Sequence, residues 1–275
     1  MKVIIIINFL CTHILYKNLM SGDILEIYLN SRTATQYYNN LISDSMFTLP
    51  VIEINKNEKA YICVKNAVIP NSFYNVNSTN NQLNYIINSM NYSITFTNGN
   101  YNINTYRTHL YDILFGLDYG PTNTNNKYWT ITYNNKLNKL LFSHQYHNFT
   151  LVSSSTSFEL IGFKEGTNYI SASFSLQSNI CCNMFTIKNI YVSSENFILN
   201  NIDSNNHGRS NIICSIPVQG VSGSFLFYSD NQRHLVHNVS NLTSFKLKLT
   251  DEDGSLIDFN DIHYSLTLEL TILIG

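Results

Sequence analysis

"KLKLTDEDGSLIDFNDIHYSLTLELTIL", residues 246–273, holds two alternating runs separated by a polar bend. Tyr264, Leu266, Leu268, Leu270 and Ile272 fall on one side of an extended strand, and Ser265, Thr267, Glu269 and Thr271 on the other. Phe245, Leu247 and Leu249 repeat the pattern opposite Lys246 and Lys248. Two half-buried strands are therefore expected here, each with one face in a core. Between them, Asp251, Glu252 and Asp253 cluster three carboxylates, which hard cations favour. They lack the alternate-residue ligand spacing and the later bidentate Glu of an EF-hand loop. Asp and Gly ahead of a new strand are what a hairpin turn needs, so Asp251–Gly254 is read as a turn.

The same strand-like composition extends through the chain. Of 275 residues, 44% are hydrophobic and only 12% charged, about half the usual share for a globular protein. Aromatic residues reach 13%, nearly all Tyr and Phe, with Trp129 the single tryptophan. Polarity comes from Asn, Ser and Thr. The net charge of −2, with no clustered Lys and Arg, argues against direct nucleic-acid binding. The five cysteines, Cys11, Cys63, Cys181, Cys182 and Cys214, are odd in number and match neither a disulfide framework nor a zinc spacing; buried free thiols are expected. Sequons at Asn77, Asn91, Asn148, Asn238 and Asn241 follow from Asn richness and carry meaning only in a secreted chain. Residues 1–20, "MKVIIIINFLCTHILYKNLM", are short for a membrane span and lack a small-x-small cleavage site. They are read as an extension or a peripheral segment ahead of Met20. No later stretch is long and apolar enough to span a bilayer.

Further along, "DILEIYLNSR", "SDSMFTLPVIEI" (Pro50 marking an edge or bulge) and "AYICVKNAVIP" (ending at Pro70) predict strands. Residues 78–178 differ. After two strands in "NQLNYIINSMNYSITFTNGNY", the apolar spacing of Ile103, Tyr106, Leu110, Ile113, Leu114 and Leu117 predicts a helix. Asn102 or Asn104 would cap it, and Gly116 or Gly120 would end it. The polar "DYGPTNTNN" then leads to a hairpin of "KYWTITY" and "KLLFSH", and "FTLVSSSTSFELIGF" predicts a further strand or two. From Met184 the chain returns to unbroken β. The expected architecture is mainly β: one antiparallel sandwich from residues 21–77 and 179–275, carrying an inserted α+β module at 78–178.

No motif for catalysis or cofactor binding is present: no G-x-S-x-G, P-loop, dinucleotide fingerprint or H-E-x-x-H. His144 with His147, and His234 with His237, are three apart, which on a strand places them on opposite faces. A Cys–His nucleophile pair would need Cys63 or Cys214, both inside β runs that read as core. No catalytic residue, cofactor or metal is therefore expected, and the chain is not read as an enzyme. Candidate ligand-stacking residues in the module are Tyr128, Trp129 and Tyr133, with core packing as their alternative role.

Several stretches, in order, resemble the penton (minor capsid) jelly-roll proteins of virophages, Polinton-like viruses and large eukaryotic DNA viruses. "FKLKLTDEDGSLIDFNDIHYSLTLEL" resembles their C-terminal hairpin, and "NAVIPNSFYNVNSTNNQLNY" their early Ile-Pro-x-Ser-x-Tyr segment. "TNGNYNINTYRTHLYDIL" resembles their Gly-Asn-Tyr plus helix, "FELIGF" their Leu-Gly-Phe ending, and "IPVQGVSGSFLFY" also fits. Ile161 stands where the group usually has Leu, and Asn98 where it has Pro. The resemblance implies a single jelly roll, with a double jelly roll as the alternative arrangement. It also implies a homopentamer at the fivefold vertices of an icosahedral capsid, beside a major capsid protein with a double jelly roll. Such a protein is made in the host cytoplasm or a virus factory and ends in the virion. The alternative reading is a β-sandwich attachment protein whose module binds a receptor or carbohydrate.

Overall fold

The computed structural model describes residues 2–5, 23–118, 128–199, 202–203, 208–237 and 241–274. In chain order its main elements are β1 (Lys2–Ile5), β2 (Asp23–Asn30), β3 (Asp44–Glu53) and β4 (Glu58–Pro70), then β5 (Gln82–Ile87), β6 (Met90–Thr95) and α1 (Ile103–Asp118). There follow β7 (Trp129–Asn134), β8 (Lys139–His144), β9 (Phe149–Leu151), α2 (Phe158–Ile161) and β10 (Ser175–Gln177). The chain continues with β11 (Asn189–Ser194), β12 (Ile212–Pro217), β13 (Phe225–Ser229), β14 (His234–His237), β15 (Asn241–Thr250) and β16 (Ser265–Ile274). These residues form two compact units: residues 1–73 with 187–275, and residues 74–186. Residues 179–186, assigned to the sandwich from sequence, pack with the second unit. Cys182 is buried in that unit's core, and the Ile180 and Cys182 N–H groups donate to the carbonyls of Gly162 and Asn138.

The first unit is a jelly roll. One sheet runs β2–β16–β4, with β13 and β14 both paired to the far side of β4; the other runs β12–β11–β15–β3. Counting β13 and β14 as one interrupted strand, the first sheet holds the first, eighth, third and sixth core strands. The second holds the second, seventh, fourth and fifth. This is the doubly Greek-key order of a jelly-roll sandwich. It is a single jelly roll, so the double arrangement is not realised. Alternation places the side chains as the sequence predicts: Leu266, Leu268, Leu270 and Ile272 meet Phe245, Leu247 and Leu249 in one buried cluster. Pro50 sits where the register between β3 and β15 shifts, as its missing N–H requires.

The last two strands do not form a hairpin with each other. β15 pairs β3 and β11, whereas β16 pairs β2 and β4 in the opposite sheet. Asp251–Gly254 is nonetheless a turn: Gly254 has φ +81° and its N–H donates to the Asp251 carbonyl. The Asp251 carboxylate accepts from the N–H groups of Asp253 and Ser255, at 3.0 and 2.8 Å. Glu252 accepts from the N–H groups of Lys188 and Asn189 at 2.8 and 2.9 Å, joining the turn to the start of β11. At the N-terminus, β1 lies parallel to β2. The rest of the segment expected to be peripheral, residues 1 and 6–20, lies outside the described residues, as do Cys11, Gly120 and most of the polar linker.

In the second unit, β5, β6 and β9 form one small sheet and β7, β8 and β10 another, with α1 packed on β7. Asn102 caps α1, its Oδ1 accepting from the N–H groups of Asn104 and Thr105, both at 3.0 Å. The helix continues through Gly116 to Asp118, so Gly116 does not end it. Of the strand or two expected in "FTLVSSSTSFELIGF", β9 forms, while "FELI" becomes α2, ended by Gly162 with φ +84°. The unit's entry and exit are tied together, because Asn75 Nδ2 donates to the carbonyls of Tyr101 (2.7 Å) and Met184 (3.0 Å).

Candidate functional site

Trp129 and Tyr128 bring β7 into an aromatic cluster, but only partly as a ligand surface. Trp129 is 2% exposed, edge-on to Phe149 (4.7 Å between centroids), His144 (5.1 Å) and Tyr85 (5.6 Å). In that position it is a core residue. Tyr128 is half-buried at the cluster's edge, near Tyr146 and His144. Tyr133, also half-buried, turns its hydroxyl to Asn138 Oδ1 at 2.7 Å. The three are thus not gathered on one open stacking face.

His144 and His147, expected on opposite faces, lie with rings stacked at 5.4 Å. The reason is local: β8 ends at His144, so the strand rule no longer applies three residues on. His144 is 4% exposed, and its Nδ1 accepts the backbone N–H groups of Tyr146 (3.3 Å) and His147 (3.1 Å). Burial, then the neighbouring His147, pushes its pKa down to about 4. His147 Nε2 meets Asn88 Nδ2 at 3.2 Å. Two imidazoles alone do not make a metal site. Among the described residues, no group of three or more His, Cys, Asp or Glu side chains is placed to hold a metal ion.

The thiols divide. Cys63 and Cys182 are buried, Cys214 is half-buried, and Cys181 is exposed, against the expectation that all would be core. Burial raises the pKa of Cys63 and Cys214, and that of Cys182 to about 11, the opposite of what a nucleophilic thiolate needs.

Charge is concentrated instead on the outer faces of the sandwich. In the β2–β16–β4 sheet, Glu26 and Glu269 stand directly opposite in register, both turned away from the core and both buried. A bulge in β4 leaves Lys65 without a partner residue on β16. Lys65 Nζ reaches across to Glu26 (2.6 Å) and Glu269 (3.6 Å). Arg233 donates through Nε and Nη2 to Glu269 Oε1 at 3.0 and 2.7 Å, and Tyr28 donates to Glu26 Oε2 at 2.7 Å. The donation to Glu26 raises the Tyr28 pKa, and Lys65 is raised by the same carboxylate. On the other sheet, Lys246 lies between Glu195 (3.1 Å) and Asp44 (3.7 Å) and over the Tyr38 ring, while Lys248 binds the second Glu195 oxygen. Those lysines hold the Glu195 carboxyl below its ordinary range, the Lys248 hydrogen bond first. Each network sets two carboxylates against two cations.

No protein-family model matches the chain, and no curated protein does. Similarity to solved structures extends over nearly all of the chain. The chain is similar to the mavirus penton protein. The crystal structure of the selenomethionine-labelled mavirus penton protein covers 90% of this chain, with 98% of its own chain matched, at 11% sequence identity and a TM-score of 0.49. Among the described residues, no helix is long and apolar enough to cross a membrane.

Sequence reasoning missed the Glu26–Lys65–Glu269–Arg233 network. Glu269 was visible as a carboxylate on the polar side of β16, but its partners lie 36 to 243 positions away in the chain. Only strand order brings them together. A usable local signal was Lys65, a cation inside the otherwise apolar "AYICVKNAV" run.

Proposed function

We propose that this chain is a structural capsid protein, a penton that assembles as a homopentamer at fivefold vertices, and not an enzyme. The observation that carries the reading is the succession of penton-like motifs along a chain whose residues 23–73 and 187–274 form an eight-strand jelly roll, interrupted once by a helix-bearing module. Jelly rolls serve capsids, lectins and cupins alike, so fold alone does not choose among them. The succession of penton-like motifs along the chain favours the first.

The outer sheet faces support the same reading. A ring of copies needs two different surfaces that meet repeatedly. Pairing lowers, without removing, the desolvation cost of covering a charged face, and both networks pair each carboxylate with a cation. The expected partners are further copies of the chain and a major capsid protein. The module would then be free to meet a receptor or glycan.

Mass measurement by light scattering on the purified full chain tests the proposal. A stable species of five times the 31.6 kDa chain mass is expected. A species that stays monomeric at high concentration, and is not recruited into shells by a major capsid protein, would overturn it.

A further inference from the structure

The turn that follows β8 is built around a neutral imidazole. Nδ1 of His144 accepts two backbone N–H groups, from Tyr146 and His147, so the ring proton of the closed form sits on Nε2. The loop is closed further by the Gln145 N–H on the Tyr128 carbonyl (2.8 Å) and by His147 against Asn88 in the β5–β6 turn. The titratable groups facing the ring are Tyr128 from the lead-in to β7 and His147 from the loop itself; Tyr146 gives Nδ1 its backbone N–H and packs its own ring near Tyr128 and His147. Trp129, edge-on to the ring and itself packed on Phe149, brings no charge. Among the described residues, no carboxylate bears on the ring.

Protonation would therefore place a third N–H donor against two others, and a cation inside an aromatic cluster beside a second imidazole. We propose that residues 144–148 are an acid-released latch, held shut by neutral His144 and opened when that ring takes up a proton. This stands apart from the capsid reading and does not require it.

The sign follows from linkage. An imidazole in water titrates near 6.5, and the closed form resists protonation down to about 4. The stabilisation of the closed loop is whole above pH 6.5. Each unit of acidification below that favours the open loop tenfold, about 300-fold in total by pH 4. Below about 4 both forms carry the proton and the effect levels off.

Amide hydrogen exchange on the full chain, corrected for the intrinsic pH dependence, tests this directly. The Tyr146 and His147 amides are expected to lose protection progressively from pH 6.5 to about 4, while Leu141 inside β8 keeps its own. His144→Asn leaves an acceptor oxygen near the Nδ1 position but cannot titrate, so its profile should be flat; His147→Asn should keep the wild-type slope. Unchanged protection in the wild type, or a loss that persists in His144→Asn, would overturn the latch. Emission from the single tryptophan provides a reading that needs no variant. Trp129 lies 5.1 Å from the His144 ring and is expected to be quenched as the imidazolium forms, with a midpoint well below 6.5. A midpoint at 6.5 would mean an exposed ring and no latch.

Discussion

At Gly162 the backbone ends α2 with φ +84°, and a Cβ built there would stand 2.6 Å from the Ile180 carbonyl oxygen and 2.9 Å from Ser178 Oγ. Two separate penalties act on any other residue: the left-handed conformation, on the order of 1–2 kcal/mol, and a clash with a backbone atom that cannot swing away. Gly162→Ala is therefore expected to lower the melting temperature of the second unit, followed through Trp129 emission, by more than the conformational term alone. Lys65 poses an electrostatic version of the same question. Lys65→Met should destabilise the sandwich by leaving Glu26 facing Glu269 with less compensation, and adding Glu269→Gln should recover much of the loss. A double-mutant cycle in urea measures the coupling, and strictly additive effects would show that Lys65 does not bridge the pair. Residue chemistry was partly legible from sequence. Sequence shows Gly162 only within its Leu-Gly-Phe motif, because the Ile180 carbonyl that excludes a side chain comes from a segment eighteen positions later.

Among the elements, β16 best shows what alternation tells and what it withholds. The inward set Leu266, Leu268, Leu270 and Ile272 was readable from period two, and all four are buried. Leu268→Ala should cost about 2–5 kcal/mol in chemical denaturation, while Thr267→Ala on the opposite face should stay within about 0.5 kcal/mol. Equal losses at the two positions would mean the strand is not held by one face. Alternation could not say which sheet the strand joins, since a face pattern is the same whether the partner is adjacent in sequence or distant. For that reason β15 and β16 read as a hairpin but belong to opposite sheets. The stretch "FELIGF" fails for a different reason: four residues are too few to show a helical period, so a single turn of helix reads as strand. A strand continued to residue 147 would separate His144 from His147, but β8 stops at the first of them.

For the whole molecule, the link between Asn75 and Met184 brings the beginning and end of the second unit within one hydrogen bond. Replacing residues 76–183 by a short flexible linker should therefore leave a sandwich that melts cooperatively with a strand-rich circular dichroism spectrum. Loss of cooperative melting would show that the module is required for the jelly roll to fold. The broad division of the chain could be read from the switch between period two and period 3.6, but not its limits: residues 179–186 carry no periodic pattern, and their attachment is set by hydrogen bonds to Gly162 and Asn138. The position of β16 also bears on synthesis. It is wedged between β2 and β4, so two strands made early must wait, unjoined, for one made some two hundred residues later. Until residues 265–274 leave the ribosome, that sheet has a gap at its centre and two apolar edges open to misplaced pairing. Nascent chains of this protein should consequently depend on holding chaperones until residues 265–274 have emerged.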